Sequence, residues 1–307
     1  MKSKKWTSSD IPDLTGKTII VTGGNSGLGF VSARTFAEKG AQVIIACRSA
    51  NRGDVTKKQI EKACPTANVH VMEIDLMDLE SIKDFTTRFK QKHDKLDVLL
   101  NNAGIMTVPY GLTKDGFESQ LGTNHLGHFA LTGLLLDLLK NTPQSRVVNV
   151  SSMAHKQGVM DFDNLLFKNG IGYTPMKAYG RSKLANLLFT YELQEFFDSK
   201  NINCIAVAAH PGVSNTNLAR HLEGKWLFEF LRPLLELIVQ PATMGALPLI
   251  RASVDPLVKK GEYYGPSGFQ EISGYPVVVE SNKASHDKIS AKKLWEISEK
   301  LTSVVFK

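Results

Sequence analysis

The sequence predicts an α/β protein on a doubly wound, mainly parallel sheet of about seven strands, order 3-2-1-4-5-6-7, with helices on both faces. Three observations carry this. Short β-branched apolar runs alternate with longer segments of helical period; the runs are apolar throughout, as in strands buried on both faces; and a glycine-rich turn joins the first run to the first helical segment. Of the 307 residues 42% are hydrophobic and 22% charged, an ordinary globular balance that excludes disordered, collagen-like and coiled-coil classes.

Thr18–Thr22 opens the alternation, all five of its side chains being β-branched and so favouring a pleated, covered strand. A helix follows over 30–39, then a strand at 41–46, a strand at 69–74 and a helix over 79–92. Further strands are expected at 96–100, 146–150 and 203–208, separated by a long helix over 117–140 and another over 178–198. Such βα repeats wind right-handed. A last strand is expected at 262–264.

No linker, repeat or low-complexity stretch divides the chain, so residues 1–307 are read as one domain, with 1–15 as an N-terminal extension. Two stretches escape the alternation. Residues 156–175 read as an inserted loop, and residues 214–258 as a helical excursion on the substrate side. Ligands of open α/β sheets bind beyond the C-terminal strand ends, where such excursions lie. Within the excursion, Trp226, Leu227, Phe228, Phe230 and Leu231 are apolar enough to line a lid, and equally suited to a core helix, a subunit contact or a membrane-surface contact.

The formal net charge is +7, but the basic residues are scattered, which argues for a solvated surface and against a nucleic-acid partner. The basic start lacks the apolar segment of a signal peptide, and no run reaches the roughly 18 apolar residues of a membrane span. A cytoplasmic location is expected. Cys47, Cys64 and Cys204 form no CxxC pair and are odd in number, so they are expected to be buried thiols rather than disulfides or metal ligands. His125, His128, His155 and His210 lack ligand spacing; structural or surface roles are expected, and no metal.

The first strand runs into Gly23, Asn25, Ser26, Gly27, Leu28 and Gly29, whose backbone can cradle a pyrophosphate at the positive end of the next helix. The spacing is Gly-x3-Gly-x-Gly, a Rossmann-type variant. An acid at the end of the second strand would hold a ribose 2′-hydroxyl; here Arg48 stands instead, with Arg52 one helical turn on, which favours a 2′-phosphate and hence NADP(H). Asp75, at the end of the third strand, is placed to accept from the adenine amino group. Tyr179 and Lys183 lie four residues apart on one helix face, where the cation is expected to lower the phenol's pKa toward working pH.

With these residues together the chain resembles the short-chain dehydrogenase/reductases. The resemblance rests on Thr22, Gly23, Gly27 and Gly29, on Asn101 to Gly104, on Asn124, Ser152, Tyr179 and Lys183, and on Pro211, Gly212 and Thr216. Within the family it is most similar to the retinol-dehydrogenase-like and protochlorophyllide-reductase-like branch, through Ala46 to Arg48, Asn149 to Ser152 and His210 to Gly212.

The resemblance implies an oxidoreductase acting on a small carbonyl or alcohol substrate, with Tyr179 as general acid and Ser152, rather than Ser151, binding the substrate oxygen. Lys183 would anchor the nicotinamide ribose and tune Tyr179, and Asn124 would hold a relay water. Leu76, Asn102, Ala103, Gly104, Pro211, Gly212 and Thr216 would join the cofactor site. Homo-oligomers are common among such proteins. Two rivals remain: a non-catalytic NADP(H) sensor or scaffold, and a light-driven tetrapyrrole reductase. Ser152 and Tyr179 are 27 residues apart, more than the compact family spacing, so no pocket is carried over.

Overall fold

A computed structural model describes residues 5–213 and 240–307. Among these residues one eight-stranded sheet has the order β3-β2-β1-β4-β5-β6-β7-β8. The strands are β1 (Thr18–Thr22), β2 (Gln42–Cys47), β3 (Asn68–Glu73), β4 (Val98–Asn101), β5 (Ser145–Val150), β6 (Cys204–Ala209), β7 (Tyr263–Pro266) and β8 (Pro276–Val278). All neighbours through β7 are parallel, and β8 turns back antiparallel on β7. The expected order of the first seven is the one observed. The eighth is a three-residue edge strand, too short to show a period.

Every residue of β1 is buried, and the strand's two-residue period divides the core. Ile19 and Val21 face α1 (Gly27–Glu38) and the helix Ala242–Val254, with Phe36 and Leu249 in the same cluster. Ile20 faces the other layer with Phe85, Phe129 and Leu193, from α3 (Leu79–Lys90), α5 (Gly127–Leu134) and α7 (Pro175–Ser199). Helix α2 (Ala50–Ala63) connects β2 to β3.

Three expectations are corrected. The single helix over 117–140 is instead α4 (Ser119–Leu121), a π-helical turn Gly122–Leu126, α5, and α6 (Leu136–Asn141). The excursion over 214–258 extends too far, because Ala242–Val254 is a core helix with Ala246, Leu249 and Ile250 buried. Thr216 and the apolar run 226–239 lie outside the described residues. In the N-terminal extension Trp6, Ile11 and Leu14 are buried in the same cluster as α1. Of the three free thiols Cys47 and Cys204 are buried, whereas Cys64 is only half-buried at the end of α2.

The helix Lys288–Thr302 was not anticipated, although Ala291, Leu294, Ser298 and Thr302 have helical spacing on its buried side. Asp287 caps it by accepting from Ile289 and Ser290 amides. Among the described residues no helix is long and apolar enough to cross a membrane.

Candidate active site

The ends of β1, β4, β5 and β6 bring the sequence motifs to one edge of the sheet. At the first of them, the residues after Thr22 turn tightly into α1. Gly29 must be glycine: a side chain there would meet the Gly23 carbonyl and, 2.6 Å away, the Asn102 carboxamide. Ser26 occupies the N-cap of α1, yet its side chain caps nothing, whereas Ser49, Asp78 and Thr174 cap α2, α3 and α7. The first-turn amides of α1 therefore keep their hydrogen-bonding capacity and their positive dipole end for an anion. A dinucleotide pyrophosphate fits this cradle.

Thr22 joins the turn to the next strand. Its Oγ1 accepts from the amides of Asn102 and Ala103, both at 2.9 Å, while the Asn102 carboxamide donates to the Thr22 carbonyl at 2.7 Å. Asn101 staples β4 to β5, donating to Asn149 Oδ1 at 2.9 Å, and to Thr132 of α5 at 3.1 Å. Asn102, Ala103 and Gly104 thus form a braced wall beside the glycine turn.

His128 continues that brace, in the structural role expected for it, although its partners were not anticipated. Its Nδ1 is 3.1 Å from the Asn124 carbonyl, which can only accept, so Nδ1 carries the proton and Nε2 accepts from Thr22 Oγ1 at 2.9 Å. Complete burial holds the ring near a pKa of about 4 and hence neutral. The signal available was weak: His128 lies four residues after Asn124, one helical turn on.

Asn124 itself sits in the π-helical turn, a device common at functional sites. Its carboxamide grips the residue after the Asn101 to Gly104 motif from both sides: Oδ1 accepts from the Ile105 amide at 2.8 Å, and Nδ2 donates to the Ile105 carbonyl at 2.9 Å. Nδ2 also donates to Ser182 Oγ at 2.9 Å. All of Asn124 is buried.

The paired serines after β5 point differently. Ser151 is buried and donates to the Lys183 carbonyl at 2.9 Å. Ser152 is half-buried, caps the turn Met153–Gln157 by accepting from the Ala154 amide at 3.2 Å, and lies close enough to Tyr179 to pull the phenol's pKa down. Lys183 Nζ donates to the Val150 carbonyl at 3.0 Å and lies 5.7 Å from the centre of the Tyr179 ring. An ammonium has three donors, so this buried one retains capacity for ligand hydroxyls.

The electrostatics differ from expectation. Burial pushes the Tyr179 phenol up to about 12, opposed by the Ser152 hydroxyl, and burial lowers Lys183 to about 8. The direction is the reverse of the expected lowering by the lysine: burial raises the phenol, and the Ser152 hydroxyl is what opposes it. Both shifts favour neutral forms. A protonated phenol beside a second hydroxyl is equipped to donate.

Around this centre, Arg48 is exposed just past β2, and Arg52 is exposed on the first turn of α2. Asp75 is half-buried; one oxygen accepts from the Met77 amide at 3.0 Å, and Leu76 beside it is buried. Pro211 and Gly212 follow β6, where the Pro211 carbonyl accepts from Gln240 at 2.7 Å. Sequence reasoning also missed Arg181, a fully buried guanidinium inside the Tyr179 to Lys183 span, whose Nη1 donates at 2.7 Å to the carbonyls of both Asn164 and Leu165.

The short chain dehydrogenase family pattern matches residues 17–164. Retinol dehydrogenase 13 of Homo sapiens is 36% identical over 301 residues, covering 95% of this chain and 86% of that protein. Retinol dehydrogenase 14 of Homo sapiens is 37% identical, covering 94% and 87%. A crystal structure of an uncharacterized protein from Mycobacterium Paratuberculosis superposes with a TM-score of 0.82 at 40% identity, covering 99% of this chain and all of that one. The chain belongs to the short-chain dehydrogenase family, a class of oxidoreductases acting on small molecules. Within it, the chain stands in the retinol-dehydrogenase-like branch.

Proposed function

We propose that the protein is an NADPH-dependent reductase and dehydrogenase of carbonyl and alcohol groups on a lipophilic substrate. The observation that carries this is the convergence of Tyr179, Ser152, Lys183 and Asn124 at the ends of β4 and β5, with two hydroxyls beside a buried ammonium. When bound, reduced nicotinamide supplies a hydride to the carbonyl carbon.

The chain's own residues do the rest. Ser152 and Tyr179 donate to the substrate oxygen, on which negative charge develops, and Tyr179 passes it a proton. With its pKa near 12 the phenol holds that proton throughout the neutral range. Lys183 would hold ribose hydroxyls with the donors that Val150 leaves over, and Asn124, fixed by Ile105 and Ser182, would position a relay water.

NADP(H) rather than NAD(H) is favoured because β2 is followed by Arg48 where an acid would hold a ribose 2′-hydroxyl, and a guanidinium fork suits a 2′-phosphate. The α1 amides and Gly29 would receive the pyrophosphate, and Asp75 the adenine amino group. The substrate class rests on the relatives, two of which are named retinol dehydrogenases. A panel of aldehydes, ketones and retinoids with NADPH, followed at the reduced-nicotinamide absorbance band, tests the reading. Turnover of an apolar aldehyde is expected; NADPH binding without turnover of any carbonyl would restore the sensor alternative.

A further inference from the structure

We propose that Glu271 is a positioning residue that sets the ring of His210 and through it the backbone of Gly212, deepening the function proposed above. His210 is completely buried at the end of β6, immediately before Pro211. Its Nδ1 accepts from the Gly212 amide at 3.2 Å, so the proton of the neutral ring must reside on Nε2. That nitrogen lies 2.9 Å from Glu271 Oε2, with the N–H line too bent for a regular hydrogen bond, and among the described residues neither atom has a hydrogen-bond partner. The close approach is therefore an electrostatic contact between the carboxylate and the ring N–H, two buried polar atoms otherwise unsatisfied.

The tautomer is what matters. With the proton on Nδ1 the ring would oppose the Gly212 amide instead of accepting from it. A carboxylate at Nε2 selects the tautomer that holds Gly212, as second partners of functional imidazoles do elsewhere. His210 is the first-ranked cause of the low pKa of Glu271, about 2, so the acceptor is ionised at working pH.

Glu271 is also held in an unusual way. It has φ +60°, and Gln270 before it φ +49°, left-handed values that side-chain-bearing residues seldom adopt. The loop carrying them lies directly on Gly212. The Val213 amide donates to the Ile272 carbonyl at 2.8 Å, and a side chain at Gly212 would come within 2.9 Å of the Glu271 carbonyl. Its second oxygen, Oε1, is 3.2 Å from Lys156 Nζ, four residues past Ser152. One carboxylate so joins the segment after β5, which carries Ser152, to the segment after β6, which carries Pro211 and Gly212. Backbone strain tolerated at such a junction is consistent with a functional constraint.

The inference rests on Gly212 flanking the cofactor, and its test is read without activity as well as with it. Long-range proton–nitrogen NMR of uniformly labelled protein, with His210 assigned by the His210→Gln spectrum, reports the tautomer directly. The wild type is expected to show Nε2–H and an unprotonated Nδ1. Glu271→Ala should lose that pattern, weaken NADPH three- to tenfold by fluorescence titration and lower kcat more than it changes KM for the carbonyl. Glu271→Gln should retain all three, because its carbonyl oxygen still accepts from Nε2–H. If Glu271→Ala fails to fold, Glu271→Asp carries the same test, its shorter arm withdrawing the acceptor while keeping the charge. An unchanged ring pattern in the truncated variant, or Glu271→Gln as impaired as that variant, overturns the proposal. A wild type that shows the tautomer but turns over no carbonyl would instead count against the proposed function alone.

Discussion

The proposed preference for NADP(H) rests on one planar group, the Arg48 guanidinium. The fork can take a phosphate by two parallel hydrogen bonds, and removing it should cost about 1.5 to 3 kcal/mol of NADPH binding. Titration of wild type and Arg48→Ala with both cofactors checks this: NADPH should weaken roughly tenfold or more while NADH changes little. Equal affinity of the wild type for both would contradict the assignment. Buried histidines give a second prediction. Burial holds His125 near 3 and His128 near 4, whereas histidines of an unfolded chain titrate around 6.5. Between those values the unfolded chain binds more protons, so stability present above about pH 6.5 is lost as the pH falls toward 3 to 4. His125→Gln should flatten that loss in urea midpoints measured from pH 7 to 4.5; parallel curves for the two proteins would show that His125 does not contribute. Tyr179 and Lys183 were legible because one helical turn fixes their spacing in the sequence itself. The partners of His128 were not, because Thr22 and Asn124 meet only when β1 and α5 pack.

At the scale of elements, one buried side chain, Arg181, ties the insertion between β5 and α7 to α7. Arg181 donates through Nε to the Val159 carbonyl at 3.0 Å and through Nη1 to Asn164 and Leu165, and its guanidinium lies 3.9 Å from the centre of the Phe167 ring. Phe167 has φ +50°, unfavourable for a bulky residue and sustained by this packing. Arg181→Met keeps the stem and deletes every donor, leaving buried carbonyls unpaired, at a cost of at least about 2 kcal/mol. Limited proteolysis within 156–175 should accelerate in the variant, well below its urea midpoint. Cleavage at the wild-type rate would mean that the insertion holds itself. The insertion was readable as an interruption of the βα period, but not its anchor, since a buried arginine has the same letter as a solvated one. The helix over 117–140 differs for a related reason: its period is helical throughout, and the π-helical turn lies where Asn124 makes contacts with the distant Ile105 and Ser182.

Across the whole molecule the sheet order was legible because continuous apolar strands with helical crossovers admit few arrangements. The C-terminal segment was not, because its closure depends on aromatic contacts distant in sequence. Trp295 and Phe306 lie 4.5 Å apart between ring centres, and Phe306 is 4.9 Å from Phe129 of α5, while His125 reaches Ser298 at 2.9 Å. These contacts seat the π-helical turn, and with it Asn124, against the final helix. The site is thus assembled from the ends of four strands and the cores on both sides of the sheet, and the claim resting on that assembly is that Tyr179 delivers the proton. Steady-state turnover of Tyr179→Phe with NADPH and a carbonyl from the substrate panel tests it most directly, with folding checked by circular dichroism and NADPH affinity by fluorescence. Turnover should fall by roughly 10² to 10⁴ with fold and affinity kept, the usual contribution of a positioned general acid; wild-type turnover in the correctly folded variant would contradict the account.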